Sequence, residues 1–188
     1  LAYYTIGYVF NIDLNDLQYY ERDITKHFIT KNISRIYKPS SIKHQEEILN
    51  IVRKIYNDDD LECILNILGS ALTGESKIDQ DTLFLLGKGS SGKSFIMQLT
   101  KKAIECYLQE LNSDTFSANN AGINKIINIY DCEPQIRISW INEMEGAKID
   151  DALFKRFCDG SFTVTKLYKA GTFTIDHNYK IIITSNEM

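Results

Sequence analysis

Long apolar runs, paired cysteines, prolines and an excess of basic charge are all scarce in this chain, and each scarcity closes off a class of function. The 188 residues hold no uninterrupted apolar stretch of the roughly 18–20 residues that a bilayer-crossing helix needs. Residues 1–10 lack the charged start and small-residue cleavage site of a secretory signal. The expectation is a soluble, intracellular protein with no membrane partner. Four cysteines, Cys63, Cys106, Cys132 and Cys158, lie scattered without CxxC spacing, and the three histidines form no ligand cluster with them. Reduced, half-buried thiols are therefore expected in place of a zinc site or a disulfide framework. Only Pro39 and Pro134 break the chain, and there is no repeat or low-complexity tract. A net charge of −4 and a pI near 5.4 exclude a generally basic surface, so any nucleic-acid contact must come from locally grouped cations.

What is present suits one globular core with an extension: 188 residues, 44% of them hydrophobic. Apolar residues recur at helical spacing over 13–31 (Leu17, Tyr20, Ile24, Phe28), over 42–56 (Ile42, Leu49, Val52, Tyr56) and over 60–73 (Leu61, Ile64, Leu65, Leu68, Leu72). These predict an N-terminal helical segment, collar- or linker-like, over 1–78. Its last helix begins in acid at Asp58-Asp59-Asp60 and stops at Gly74. From residue 82 short apolar runs alternate with helical patterns, which predicts a parallel sheet over 79–188. Strands are expected at 82–86, 136–141 and 180–184, and helices at about 93–111, 121–130 and 150–158, the last capped by Asp150. Residues 162–176 alternate about Ala170-Gly171 as a β-hairpin does. The chain opens on Leu1 and stops at Met188, and both ends read as cut from a longer polypeptide.

The most informative stretch is Gly87-Lys88-Gly89-Ser90-Ser91-Gly92-Lys93-Ser94, which satisfies GxxxxGK[ST]. The pattern arises by accident in on the order of one in a hundred chains of this length. Here it also joins an apolar strand to an amphipathic helix, the context that phosphate binding requires. Glycines let backbone amides converge on phosphates while the helix directs its positive end at them. Lys93 then reaches the β- and γ-phosphates of ATP, and the Ser94 hydroxyl ligates Mg²⁺.

Two strand tips are expected beside this cradle. Residues 136–141 run into Asn142-Glu143, which positions Glu143 to orient or deprotonate an attacking water and lets Asn142 hold a metal-bound water; Glu145 is a substitute carboxylate. Ile181-Ile182-Ile183 ends in Thr184-Ser185-Asn186, a polar tip suited to sensing a phosphate or a water. Lys166, Tyr168 and Lys169 at the hairpin tip offer charge for phosphates and a ring for stacking on single-stranded nucleic acid. Taken singly, the same stretches also fit an acidic loop, a strand-ending turn and a solvated lysine turn.

In combination and in this order, GKGSSGKS, NEMEG, ALFKRFCDGSFTVTKLYKAGTFTI and KIIITSN resemble a superfamily 3 helicase of the poxvirus type and of giant-virus or phage primase-helicases. The resemblance covers roughly residues 45–188. It implies an AAA+-like P-loop NTPase fold, a three-layer core with a pore hairpin, and a homo-hexameric ring with ATP between subunits. It further implies single-stranded DNA passing through the pore, and a primase domain elsewhere in the polypeptide. By the same correspondence Glu143 is the catalytic acid, Asn142 an accepted variant beside it, Lys93 and Asn186 the remaining catalytic groups, and Lys166 and Lys169 the DNA-contacting cations. If the source is viral, host cytoplasm or a viral replication site is the implied location. The chain departs from the family in reading Asp159-Gly160 where relatives read Gly-Asp, and in stopping at Met188 before an arginine finger. This length of chain is therefore expected to bind nucleotide and to hydrolyse it poorly. A second reading is a P-loop switch or assembly protein that binds ATP without moving DNA.

Overall fold

Four local signals set helix boundaries. Ser41 and Asn57 cap α1 (Ile42–Val52) and α2 (Asp58–Thr73), their side-chain oxygens accepting from His44 N at 3.3 Å and Asp60 N at 2.8 Å. Asp150 does the same for α4 (Asp151–Cys158), accepting from Leu153 N at 3.0 Å. Gly74 ends α2 in the left-handed region, φ +76°, where a side chain would be strained. The computed structural model describes residues 7–11, 16–20, 33–35, 40–74, 81–116, 136–143, 150–159, 161–165, 172–176 and 178–186.

The centre is a parallel sheet of β3 (Thr82–Leu86), β4 (Leu108–Asn112), β5 (Ile138–Asn142) and β8 (Lys180–Ser185), in the order β3-β8-β5-β4. Between β3 and β4 runs α3 (Lys93–Ile104). Two antiparallel pairs are also described: β1 (Gly7–Asn11) with β2 (Asp16–Tyr20), and β6 (Ser161–Thr165) with β7 (Thr172–Asp176). The second pair agrees with the hairpin expected over 162–176.

Alternation along the strands divides the core into two. Leu83, Leu85, Ile138, Trp140 and Ile182 pack with Leu61 and Ile64 of α2 and Ile96 and Met97 of α3; Ile141, Ile181 and Ile183 pack on the other face with Leu153 and Phe157 of α4. Helices thus cover both faces, as a parallel sheet demands, and the fold is α/β. All six residues of β8 are buried, so its three isoleucines contribute about 2 kcal/mol each by burial.

Four expectations need correction. Residues 16–20 are strand, not part of a helix over 13–31, because five residues of β1 provide a pairing partner for a segment rich in tyrosine; the rest of that span lies outside the described residues. The helix expected over 42–56 ends at Val52, since Asn57 must leave helical geometry to cap α2. The helix expected to reach residue 111 stops at Ile104, passes through a short 3₁₀ turn (Glu105–Tyr107), and becomes β4. Leu108 and Leu111, three apart, look like one helix stripe; they are instead buried on opposite faces of a strand. Cys63 and Cys106 are exposed, the first on α2 and the second on the 3₁₀ turn, and only Cys158 is half-buried; Cys132 lies outside the described residues. The helix expected at 121–130 also lies outside them. No helix among the described residues is long and apolar enough to cross a membrane.

Candidate functional site

Because β8 lies between β3 and β5, the three strands deliver their carboxyl ends to one edge of the sheet, where ligands of open α/β sheets bind. The glycine-rich loop leaves β3 at Gly87, turns through Ser90 at φ +64°, and enters α3 from Gly92 at φ +87°. A Cβ at Gly92 would stand 2.4 Å from Cγ2 of Ile55, so both dihedral and space require glycine there. A cavity of about 380 Å³ opens at this edge, lined by Gly89 to Phe95 of the loop and helix start, by Asn142 and Glu143, and by Thr184, Ser185 and Asn186. The loop, the acid tip and the polar tip expected from the sequence therefore meet around one space.

Lys93 is the hub. Its side chain is buried, and its three N–H donors are shared among four acceptors: the carbonyl of Gly87, Lys88 O at 3.0 Å, Ser91 Oγ at 3.1 Å and Asn186 Oδ1 at 3.2 Å. The last of these ties the loop to the tip of β8 across 93 residues of sequence. Glu143 follows directly on β5 at φ +54°, a left-handed conformation costly for a non-glycine residue, and it lines the cavity with Ser94.

Behind the cavity runs a chain of polar contacts. Trp140 Nε1 donates to Thr184 Oγ1 at 3.1 Å, Thr184 Oγ1 donates to Asn142 Oδ1 at 3.1 Å, and Asn142 Nδ2 donates to Glu110 Oε1 at 3.4 Å. Glu110 Oε2 closes the chain on Lys101 of α3 at 2.7 Å. The sequence does not signal Glu110 and Lys101, because its spacing predicts a helix up to residue 111, whereas the strand carries Glu110 beside β5. Trp140 carried the one available signal, since a buried indole N–H requires an acceptor.

Of the remaining expected residues, Asp159 is exposed and ends α4, its backbone N–H bonding to Lys155 O at 2.9 Å. Glu145, Lys166, Tyr168 and Lys169 lie outside the described residues. Among the described residues no group of three or more His, Cys, Asp or Glu could by itself hold a metal. Ser94 and Glu143 line the same cavity and could share Mg²⁺ with phosphate oxygens and waters, since that ion needs no all-protein cage.

No family model matches the chain, and no curated protein matches it. Among solved structures it is similar to apo structures of the NrS-1 C-terminal region. The A form has a TM-score of 0.51 at 21% identity, covering 76% of this chain and 33% of that one. A second apo structure has a TM-score of 0.51 at 19% identity, covering 76% and 34%. The likeness at this identity is one of fold, and the chain spans about a third of the length of those structures.

Proposed function

We propose that the chain is the P-loop ATPase part of a DNA helicase motor of the superfamily 3 kind. The observation that carries this is the convergence of the GxxxxGK[ST] loop, Glu143 and Asn186 on one cavity, with Lys93 bonded to Asn186. In this reading loop amides and Lys93 bind the phosphates of ATP, and Ser94 ligates Mg²⁺, which neutralises charge on the phosphate oxygens when bound. Glu143 orients and deprotonates the attacking water, with Asn142 beside it, and Asn186 reports whether the terminal phosphate is present. Single-stranded DNA as the track, a hexameric ring and a linked primase domain come from the family resemblance, with Lys166, Tyr168 and Lys169 as the DNA contacts. The β6–β7 pair is the element that would present them.

The test is ATP turnover by the full polypeptide with and without single-stranded DNA at low salt, where electrostatic binding is strongest. Stimulation by DNA is expected, and Glu143→Gln should keep ATP binding while turnover falls by at least about a hundredfold. Turnover that ignores DNA would favour the ATP-binding switch, and a Glu143→Gln variant with full turnover would remove Glu143 from its role.

A further inference from the structure

The residue before Glu143 is an asparagine where a carboxylate could serve a metal, and its surroundings explain the choice. The amide of Asn142 is gripped on two sides by different chemistry. On one side Glu110, a carboxylate, can only accept, and it takes Asn142 Nδ2 at 3.4 Å. On the other side Thr184 Oγ1 already accepts from Trp140 Nε1 at 3.1 Å, so its own hydrogen is free to donate; Asn142 Oδ1 lies 3.1 Å away and Ile141 O 3.4 Å away. The pocket thus demands a donor toward β4 and an acceptor toward β8, and a primary amide of this length supplies both. Aspartate would meet Thr184 equally well but would set a carboxylate oxygen against Glu110. Lys101, at 2.7 Å from Glu110 Oε2, holds that carboxylate in place.

We infer that Glu110 is a positioning residue that acts through Asn142. It anchors the last residue of β5 so that Glu143 can hold its left-handed φ of +54° and face the cavity. Left-handed backbone in a non-glycine residue persists only where its neighbours are over-determined. Here the neighbour is pinned by β4 on one side and β8 on the other. Asn142 is accordingly the residue that Glu110 requires, not a metal ligand that was lost. The role at Glu143 rests on the ATPase reading above; the matching of Glu110 to Asn142 does not.

The experiment uses Asn142→Asp, Glu110→Gln, the double variant and Glu110→Ala in the full chain, with two readouts. Thermal melting tests the match: Asn142→Asp should lower the midpoint, and Glu110→Gln added to it should restore most of the loss, because the glutamine amide can donate to the introduced carboxylate. Additive losses in the double variant overturn the pairing. Steady-state turnover and Mg-ATP affinity, measured well below the melting range, test the positioning: Glu110→Ala should lower kcat at least about tenfold with Kd changed less than about threefold. The double variant should recover kcat together with stability. A kcat unchanged in Glu110→Ala overturns the positioning role. A wild-type protein that binds no Mg-ATP overturns the ATPase reading and with it the role at Glu143, while the melting cycle still decides the pair.

Discussion

The two ends of α3 have been finished in opposite ways. At its C-terminus the chain closes on itself: Arg35 Nη2 donates to the carbonyls of Lys102 and, at 2.9 Å, Ala103, while Glu105 accepts from Ser34 N at 2.9 Å and pairs with Arg35 Nε at 3.2 Å. Glu105 itself sits at φ +47°, so the turn out of the helix is held by these contacts. At its N-terminus Gly92 supplies no side-chain cap, and the first helical residues Lys93, Ser94 and Phe95 line the cavity. A helix leaves unpaired carbonyls at one end and unpaired amides at the other. Arg35 takes two of the carbonyls at one end, while at the other end the first helical residues line the cavity, the kind of helix start whose amides suit an anion.

The largest effect should come from breaking the open end. Lys93→Ala removes the one cation that joins the loop carbonyls to Asn186, and Mg-ATP affinity by calorimetry should fall about a hundredfold with the circular dichroism of the fold retained. Unchanged affinity would sink the assignment of this end. Next comes the backbone that shapes it. Gly92→Ala forces a side chain into φ +87° and against Ile55, and denaturant unfolding should show a loss of about 1–2 kcal/mol. Ile55→Ala in the same background should return only the part due to contact; full recovery would mean that the dihedral is not strained.

The smallest effect belongs to the closed end. The backbone N–H of Ser34, first, with the Ser34 hydroxyl and Arg35, holds the Glu105 carboxyl below its ordinary pKa. A carboxyl lowered in the folded state contributes stability above its unfolded pKa and loses it as pH falls through the lowered value. Amide exchange at Ser34 should therefore accelerate as pH is taken down through the carboxylate range, once corrected for intrinsic rates, and Glu105→Gln should be faster at neutral pH and insensitive to that fall. Exchange at the Gly92 end should not follow it.

How much was legible varied with distance along the chain. The loop at 87–94, the acidic start at Asp58-Asp59-Asp60, the cap Asp150 and the stop at Gly74 could be read because each depends on residues within about four positions. The tips Asn142-Glu143 and Thr184-Ser185-Asn186 were readable as tips, since an apolar run that turns polar marks the end of a buried strand. β4 was not, because its two buried leucines mimic a helical stripe and its strand character comes from pairing with β5. Nor was the strand at 16–20, where pairing with β1 outweighs helical spacing.

The sequence alone therefore determined where α1 and α4 begin, where α2 stops and where a glycine must stand, because dihedral preferences and capping are settled between near neighbours. Only the tertiary structure decided that β8 lies between β3 and β5, that Lys93 meets Asn186, and that Asn142 stands between Glu110 and Thr184. Glu110 is 32 residues from Asn142, and Thr184 is 42 residues from it. Contacts of that separation exist only after the sheet has assembled. The polarity that one side chain must have is then set by partners that no local pattern names.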